Sequence, residues 1–138
     1  MRPLFLFMLF LYSPHALSDA LPGPVRSVVI RTIDGDTLLV RARIWPGHEV
    51  TASVRLAGVD APELRGRCDA ESIAARRARS YLAKLIEGGP VELTDIKPDK
   101  YGGRVVARVT SAGRDLSELL ILAGHARPYH GGKRGGWC

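Results

Sequence analysis

Three short stretches of the chain combine acidic and basic side chains in a pattern that suits hydrolytic chemistry. They are DGDT (34–37), VRLAGVDAPE (54–63) and DKYGGR (99–104). Each contains a turn signal, and a rigid scaffold can direct side chains from several turns into one cleft. Together they offer oxygen ligands for a metal, a candidate base and two arginines. These are the groups needed for the attack of water on a phosphodiester.

Asp36 and Asp60 are the candidate metal ligands. Two carboxylates brought together from separate turns repel each other unless a divalent cation lies between them. Calcium suits hard oxygen donors with flexible coordination, and magnesium remains possible on ligand type alone. Asp34, which precedes Gly35, is better explained by turn formation. Zinc is not expected, because the sequence has no CxxC or HxxxH spacing.

Arg55 and Arg104 are candidate phosphate ligands, because a guanidinium matches phosphate oxygens in a bidentate manner. Either arginine could instead face solvent without a function. Strict alternation would put Arg55 and Asp60 on opposite faces of one strand. A shared cleft therefore requires a bend between them, and Gly58 is the residue that permits it.

Glu63 is the candidate general base. It follows Pro62, whose fixed φ makes the direction of the carboxylate reproducible. In a functional role it would accept a proton from water. In the alternative it pairs with Arg65 or Arg67 on the surface, an exposed contact of about 0 to 1 kcal/mol.

The elements that must position these groups are predicted to be five strands and two helices. Runs rich in β-branched residues predict strands at 25–33, 37–44, 50–59, 91–96 and 104–110, with Asp34-Gly35 as a two-residue hairpin turn. Short connections between these strands indicate an α+β fold, a small five-stranded barrel with helices at its side and base.

Helical periodicity predicts the first helix at Cys68–Ile86 and a short second one at Leu116–Ala123. The residues expected on the buried face of the first helix are Ala70, Ile73, Ala74, Ala78, Tyr81, Leu82 and Leu85. The tail HARPYHGGKRGGWC contains too much glycine for regular structure.

Length and charge limit the class of protein. A chain of 138 residues is enough for one compact domain. The net charge of +6 favours an anionic partner such as nucleic acid, a membrane surface or an acidic polymer. A basic surface that only aids solubility is the alternative.

The first twenty residues have the pattern of a secretory signal peptide, with Arg2 before an apolar run that is too short to span a bilayer. Cleavage is expected after Ala20, with Ser18 as the alternative. The mature domain would then be 21–138, exported to the periplasm or the medium, a monomer without stable membrane association. Cys68 and Cys138 would meet an oxidising compartment, where a bridge would join the tail to the loop after Glu63.

In order and spacing, the three motifs and the stretch LxxxGHARPY resemble the staphylococcal nuclease, or thermonuclease, family over roughly residues 25–129. The resemblance implies an OB-fold barrel and calcium-dependent hydrolysis of DNA and RNA that leaves 3′-phosphate ends. By motif position it implies these roles: Asp36, Asp60 and the Ala61 carbonyl bind Ca²⁺; Glu63 is the base; Arg55 and Arg104 bind and stabilise the phosphate; Lys100 and Tyr101 lie near the terminal phosphate of the nucleotide.

The chain departs from the family pattern at several points. Ala61 replaces a threonine, which keeps the carbonyl and loses the hydroxyl, and an extra glycine precedes Arg104. The long C-terminal helix is missing, and a tail with its disulfide is expected to replace part of that stabilisation. Two rival functions remain, an OB-fold that binds single strands without cutting them and an envelope protein attracted to anionic lipid through the arginines of its first helix.

Overall fold

The computed structural model describes residues 19–138, and in this part of the chain eight strands and two helices follow one another. In chain order they are β1 (Val25–Asp34), β2 (Thr37–Trp45), β3 (His48–Leu56), β4 (Val59–Asp60), α1 (Asp69–Ile86), β5 (Pro90–Pro98), β6 (Arg104–Ser111), β7 (Arg114–Asp115), α2 (Leu116–Leu122) and β8 (Arg127–Pro128).

Five of these strands close into a barrel. Antiparallel pairing gives the order β3-β2-β1-β5-β6, and a parallel pairing between β3 and β6 joins the two edges. Alternate residues of each strand point inward, as the period of two requires. The core between strands and helices contains Val29, Leu38, Val40, Val54, Leu56, Leu82, Leu93, Val109, Leu116 and Leu120. The predicted α+β, OB-fold arrangement with two helices is confirmed.

The bend expected at Gly58 lies between two separate strands. Gly58 has φ +79°, a left-handed conformation that favours glycine, and β3 ends before it at Leu56. Beyond the bend, β4 pairs with β8, with Val59 opposite Pro128. The prediction of one strand over 50–59 was therefore wrong at its end, and the prediction of a wholly irregular tail was wrong at β8.

The turn between β1 and β2 is formed by Gly35 and Asp36, one residue later than predicted, because Asp34 already pairs with Thr37. Gly35 lies against helix α1. A Cβ built there would be 2.8 Å from the Cβ of Ala78 and 3.0 Å from that of Ala61. The absence of a side chain thus lets the turn approach the residues that follow β4.

Helix α1 buries a face that is rotated from the predicted one. Cys68 caps the helix, and its buried residues are Glu71, Ala75, Ala78, Leu82 and Ile86. Ile73 and Leu85, both predicted to be buried, are each 42% exposed. The carboxylate of Glu71 lies on this buried face and accepts hydrogen bonds from the neighbouring loop.

The predicted disulfide is present between Cys68 and Cys138, with the two Cα atoms 6.0 Å apart. It joins the tail to the N-terminus of α1. The predicted signal peptide lies outside the described residues except for its last two positions. Neither helix within 19–138 is long and apolar enough to cross a lipid bilayer.

Candidate nuclease site

The predicted site residues gather at one open cleft of about 580 Å³. Turns and loops from separate parts of the barrel contribute its walls. Among its lining residues are Asp36, Arg55, Ala61, Glu63, Lys100, Tyr101 and Arg104. The eighth predicted residue, Asp60, lies directly beside this wall, 4.0 Å from the Arg55 guanidinium. The structure therefore brings the three motifs together.

Asp36 is held rigidly by hydrogen bonds from both sides. Its Oδ2 accepts the backbone N–H of Ala61 at 3.1 Å, and its Oδ1 accepts the hydroxyl of Thr37 at 3.1 Å. Its own N–H donates to Asp34 Oδ1 at 3.0 Å, which is the turn role expected of Asp34. Burial, followed by the neighbouring charge of Asp34, raises the pKa of Asp36 to about 7, although Arg55 opposes the shift.

Arg55 lies between the two candidate metal ligands. It is opposite Thr37 in the β2–β3 register, next to the turn that carries Asp36. Its Nη2 is 3.9 Å from Asp36 Oδ2 and 4.0 Å from Asp60 Oδ1. The bend at Gly58 orients β4 so that the side chain of Asp60 lies near Arg55. The predicted bend is confirmed, and with it the meeting of these two residues.

Arg104 reaches the cleft from the start of β6, where it forms an ion pair with Asp99. Its guanidinium also lies 5.2 Å from the ring centroid of Tyr101, and the ammonium of Lys100 lies 5.2 Å from the same ring. Burial alone would raise the pKa of Asp99, but the hydrogen bond and charge of Arg104 outweigh it and lower that pKa. The extra glycine before Arg104 has not removed it from the cleft.

Glu63 projects from a loop that is fixed by Glu71, a residue that the sequence analysis missed. The carboxylate of Glu71 accepts the N–H of Glu63 at 3.4 Å and that of Arg67 at 2.7 Å. An acidic residue in the first turn of a helix signals only favourable helix-end electrostatics, so the sequence held no clear sign of this contact.

Arg134, from the glycine-rich tail, is the second residue that the sequence analysis missed. Its Nη1 donates to Glu63 Oε1 at 2.5 Å, and its Nη2 lies against Asp60 Oδ1 and 3.4 Å from the carbonyl oxygen of Ala61. The predicted surface partners of Glu63, Arg65 and Arg67, form no ion pair with it among the residues that the structure describes. The one sequence signal was Cys138, which was expected to draw the tail to this loop.

The carboxylates of Asp60 and Glu63 both raise the pKa of Arg134. Burial alone would lower the pKa of its guanidinium, but the hydrogen bonds and charges of Asp60 and Glu63 raise it. Trp137 adds a further contact, since its Nε1–H donates to Asp60 Oδ2 at 3.2 Å. Both oxygens of Asp60 are therefore approached by the tail.

The donors fit a hard cation. Arg55 Nη2 lies within 4.0 Å of the Asp36 and Asp60 carboxylates. Arg134 Nη2 contacts Asp60 and lies 3.4 Å from the Ala61 carbonyl oxygen, so the three oxygen donors are close neighbours. Calcium accepts such a combination with water in the remaining positions. Among residues 19–138, two guanidinium groups approach the buried Asp60 Oδ1, that of Arg134 in direct contact and that of Arg55 at 4.0 Å. Over the same range no three His, Cys, Asp or Glu side chains cluster tightly enough to hold a metal by themselves. A bound ion would thus depend on the backbone carbonyl and on water.

Comparison with known proteins agrees with this geometry. The model of the family described as staphylococcal nuclease homologue matches residues 53–134, more than half of the chain. The chain belongs to the staphylococcal nuclease family, which supports a nuclease-type or nucleic-acid-binding function. No curated protein gives a significant match.

Proposed function

We propose that this protein is an exported, calcium-dependent nuclease that hydrolyses phosphodiester bonds of DNA and RNA and leaves 3′-phosphate ends. The observation that carries the proposal is the convergence of two aspartates, a glutamate and two arginines on one cleft of the family's barrel. The net charge of +6 supports a polyanionic substrate.

Asp36, Asp60 and the Ala61 carbonyl would hold the calcium ion. Bound there, calcium would supply positive charge to offset the negative charge that grows on the phosphate oxygens. The hydrogen bond from Ala61 to Asp36 already fixes two of these ligands relative to each other. The buried position of both aspartates limits competition from bulk water.

The protein's own side chains would perform the remaining steps. Arg55 and Arg104 would bind the scissile phosphate and stabilise its charge, because both line the cleft and a guanidinium matches phosphate oxygens in a bidentate manner. Glu63 would accept a proton from the attacking water at a carboxylate oxygen. Lys100 and Tyr101, which flank Arg104, would contact the terminal phosphate of the nucleotide.

Export follows from the signal-peptide pattern of Met1–Ala20 and agrees with a disulfide in residues 21–138. Cleavage after Ala20 would leave the mature domain with its net charge of +6, since one arginine and one aspartate are removed together. We propose that this domain acts as a monomer.

The decisive experiment incubates the purified mature protein with plasmid DNA, single-stranded DNA and RNA, with calcium or with chelator. We expect degradation only with calcium, and product ends that a polymerase cannot extend until a 3′-phosphatase has acted. Equal cutting in chelator would contradict the calcium requirement. Complete absence of cutting would contradict the enzyme.

A nucleic-acid-binding module without catalysis is the second candidate. One observation favours it, because Arg134 forms ion pairs with the candidate base Glu63 and the candidate metal ligand Asp60. DNA that is retarded in a gel but stays intact with calcium present would support this candidate. The retained set of acidic and basic residues favours the enzyme.

A further inference from the structure

The guanidinium of Arg134 lies among the oxygen atoms of the candidate calcium site and beside the candidate base. It contacts Asp60 and Glu63, and it lies 3.4 Å from the carbonyl oxygen of Ala61. The Asp60 and Ala61 oxygen atoms are ones that a calcium ion would also approach. One site therefore attracts two cations, an arginine of the chain and a metal.

The tail holds Arg134 at this position from both sides. Before it, the Tyr129 hydroxyl donates to the carbonyl of Gly132 at 2.7 Å. After it, Arg127 donates to the carbonyl of Gly136 at 2.7 Å and stacks over the Trp137 ring at 3.8 Å. The Cys68–Cys138 disulfide closes this loop onto helix α1. An arginine restrained in this way acts at a high effective concentration.

Building on the proposed calcium dependence, we propose that Arg134 is an internal counter-cation that competes with calcium and sets the calcium affinity of the site. Without metal, the guanidinium forms ion pairs with Asp60 and Glu63 and stabilises the folded protein. Calcium binds in exchange for it, which also releases Glu63 to accept a proton from water.

The exchange is sterically possible. The Arg134 side chain is 37% exposed, and glycines flank it at 131–132 and 135–136, so it can swing toward solvent without moving the barrel. A doubly charged ion gains more from two carboxylates than a guanidinium does. Calcium can therefore displace Arg134, and the need to displace it lowers the affinity of the site for calcium.

Two opposite effects of Arg134→Gln follow from this competition. In chelator the melting temperature should fall by about 3–6 °C, because the buried carboxylate of Asp60 loses its contact with a positive charge. Calcium should bind about tenfold more tightly, which corresponds to about 1.4 kcal/mol. If Arg134 had only a structural role, Arg134→Gln would lower both the melting temperature and the affinity for calcium.

The experiment measures calcium binding by isothermal titration calorimetry, and melting temperature with and without calcium, in the wild type, in Arg134→Gln and in three further variants. Lys133→Gln is the matched control, because it removes the same charge from the neighbouring exposed position. Arg134→Lys keeps the charge and should keep most of the competition. Cys138→Ser releases the tether and should tighten calcium binding less than Arg134→Gln does.

The outcomes separate this inference from the proposed function. If the wild type and Arg134→Gln bind calcium equally, or if the variant binds it more weakly, the competition is refuted while the calcium site stands. If Lys133→Gln tightens binding as much as Arg134→Gln, general charge is the cause and the assignment to Arg134 fails. If no form binds calcium, the calcium proposal and the competition both fail.

Discussion

The backbone N–H of Ala61 donates to Oδ2 of Asp36 at 3.1 Å, across 25 positions of sequence. This bond joins the β1–β2 turn to the loop that follows β4. A backbone carbonyl and a carboxylate, which come from different turns, are therefore fixed relative to each other. Any change that separates the two turns should damage the site as a unit.

Gly35→Ala should separate them. The added Cβ would meet Ala78 at 2.8 Å and Ala61 at 3.0 Å, and overpacking of this kind typically costs about 1–3 kcal/mol. Gly102→Ala is the control, because no heavy atom lies within 4 Å of a Cβ built there. Urea unfolding of both variants measures the difference, and equal stability would show that the turn does not need this close approach.

Glu63→Gln should leave the fold intact and reduce turnover by at least about 10²-fold, because the amide cannot accept a proton from water. The side chain is 57% exposed, so the melting temperature should change little. Glu92→Gln, at an exposed position of β5, is the matched control. A nuclease assay in calcium compares the turnover of the two variants with that of wild type. Near-normal turnover of Glu63→Gln would show that Glu63 is not the general base.

Arg55→Ala should depress turnover by about 10²- to 10³-fold, since one preorganised donor to the phosphate is lost. Arg55→Lys should recover part of this loss, because the ammonium keeps the charge and lacks the bidentate geometry. Steady-state rates measured well below each melting temperature keep stability and catalysis apart. Activity of Arg55→Ala within a few-fold of wild type would contradict a role at the phosphate.

Much of the fold was predictable because its signals are local. The alternation in β1 and β2 follows from β-branched residues, and the position of Gly58 indicated a bend. The bend divided what the sequence analysis predicted as one strand, because the glycine between Leu56 and Val59 showed where the chain could bend and did not show that β3 ends there.

The buried face of α1 was not predictable from hydrophobicity. Glu71 is buried because its carboxylate accepts two backbone N–H groups of a loop that the helix itself does not contain. Arg134 was hidden for a similar reason, because its partner Glu63 is 71 positions away and is reached only through the path of the tail. Interactions of this kind depend on tertiary geometry, and residue type alone does not reveal them.

In the Asp99→Asn variant, the free energy of unfolding should fall less between neutral and acid pH than it does in wild type. The Arg104 partner lowers the folded-state pKa of Asp99 below its ordinary value of 3.8, so the ion pair stabilises the protein above that pH. As the pH falls below about 3.8 and through the lower folded-state value, the contribution is lost.

The free energy of unfolding of wild type should therefore exceed that of Asp99→Asn by about 1 kcal/mol at pH 7, and by less at a pH below 3.8. Urea unfolding at the two pH values measures this. A difference that persists unchanged in acid would show that the ion pair is not its source.

The parallel pairing of β3 with β6 places Ser53 opposite Arg104 and Arg55 opposite Val106. Residues far apart in sequence must meet for this register to form, and pairing of that kind is a slow, non-local event in folding. Arg55 and Arg104, the two candidate phosphate ligands, belong to these two strands. A compact chain in which β3 and β6 have not yet paired therefore cannot present Arg55 and Arg104 together to a nucleic acid backbone. The recovery of activity during refolding reports on the pairing of these two strands.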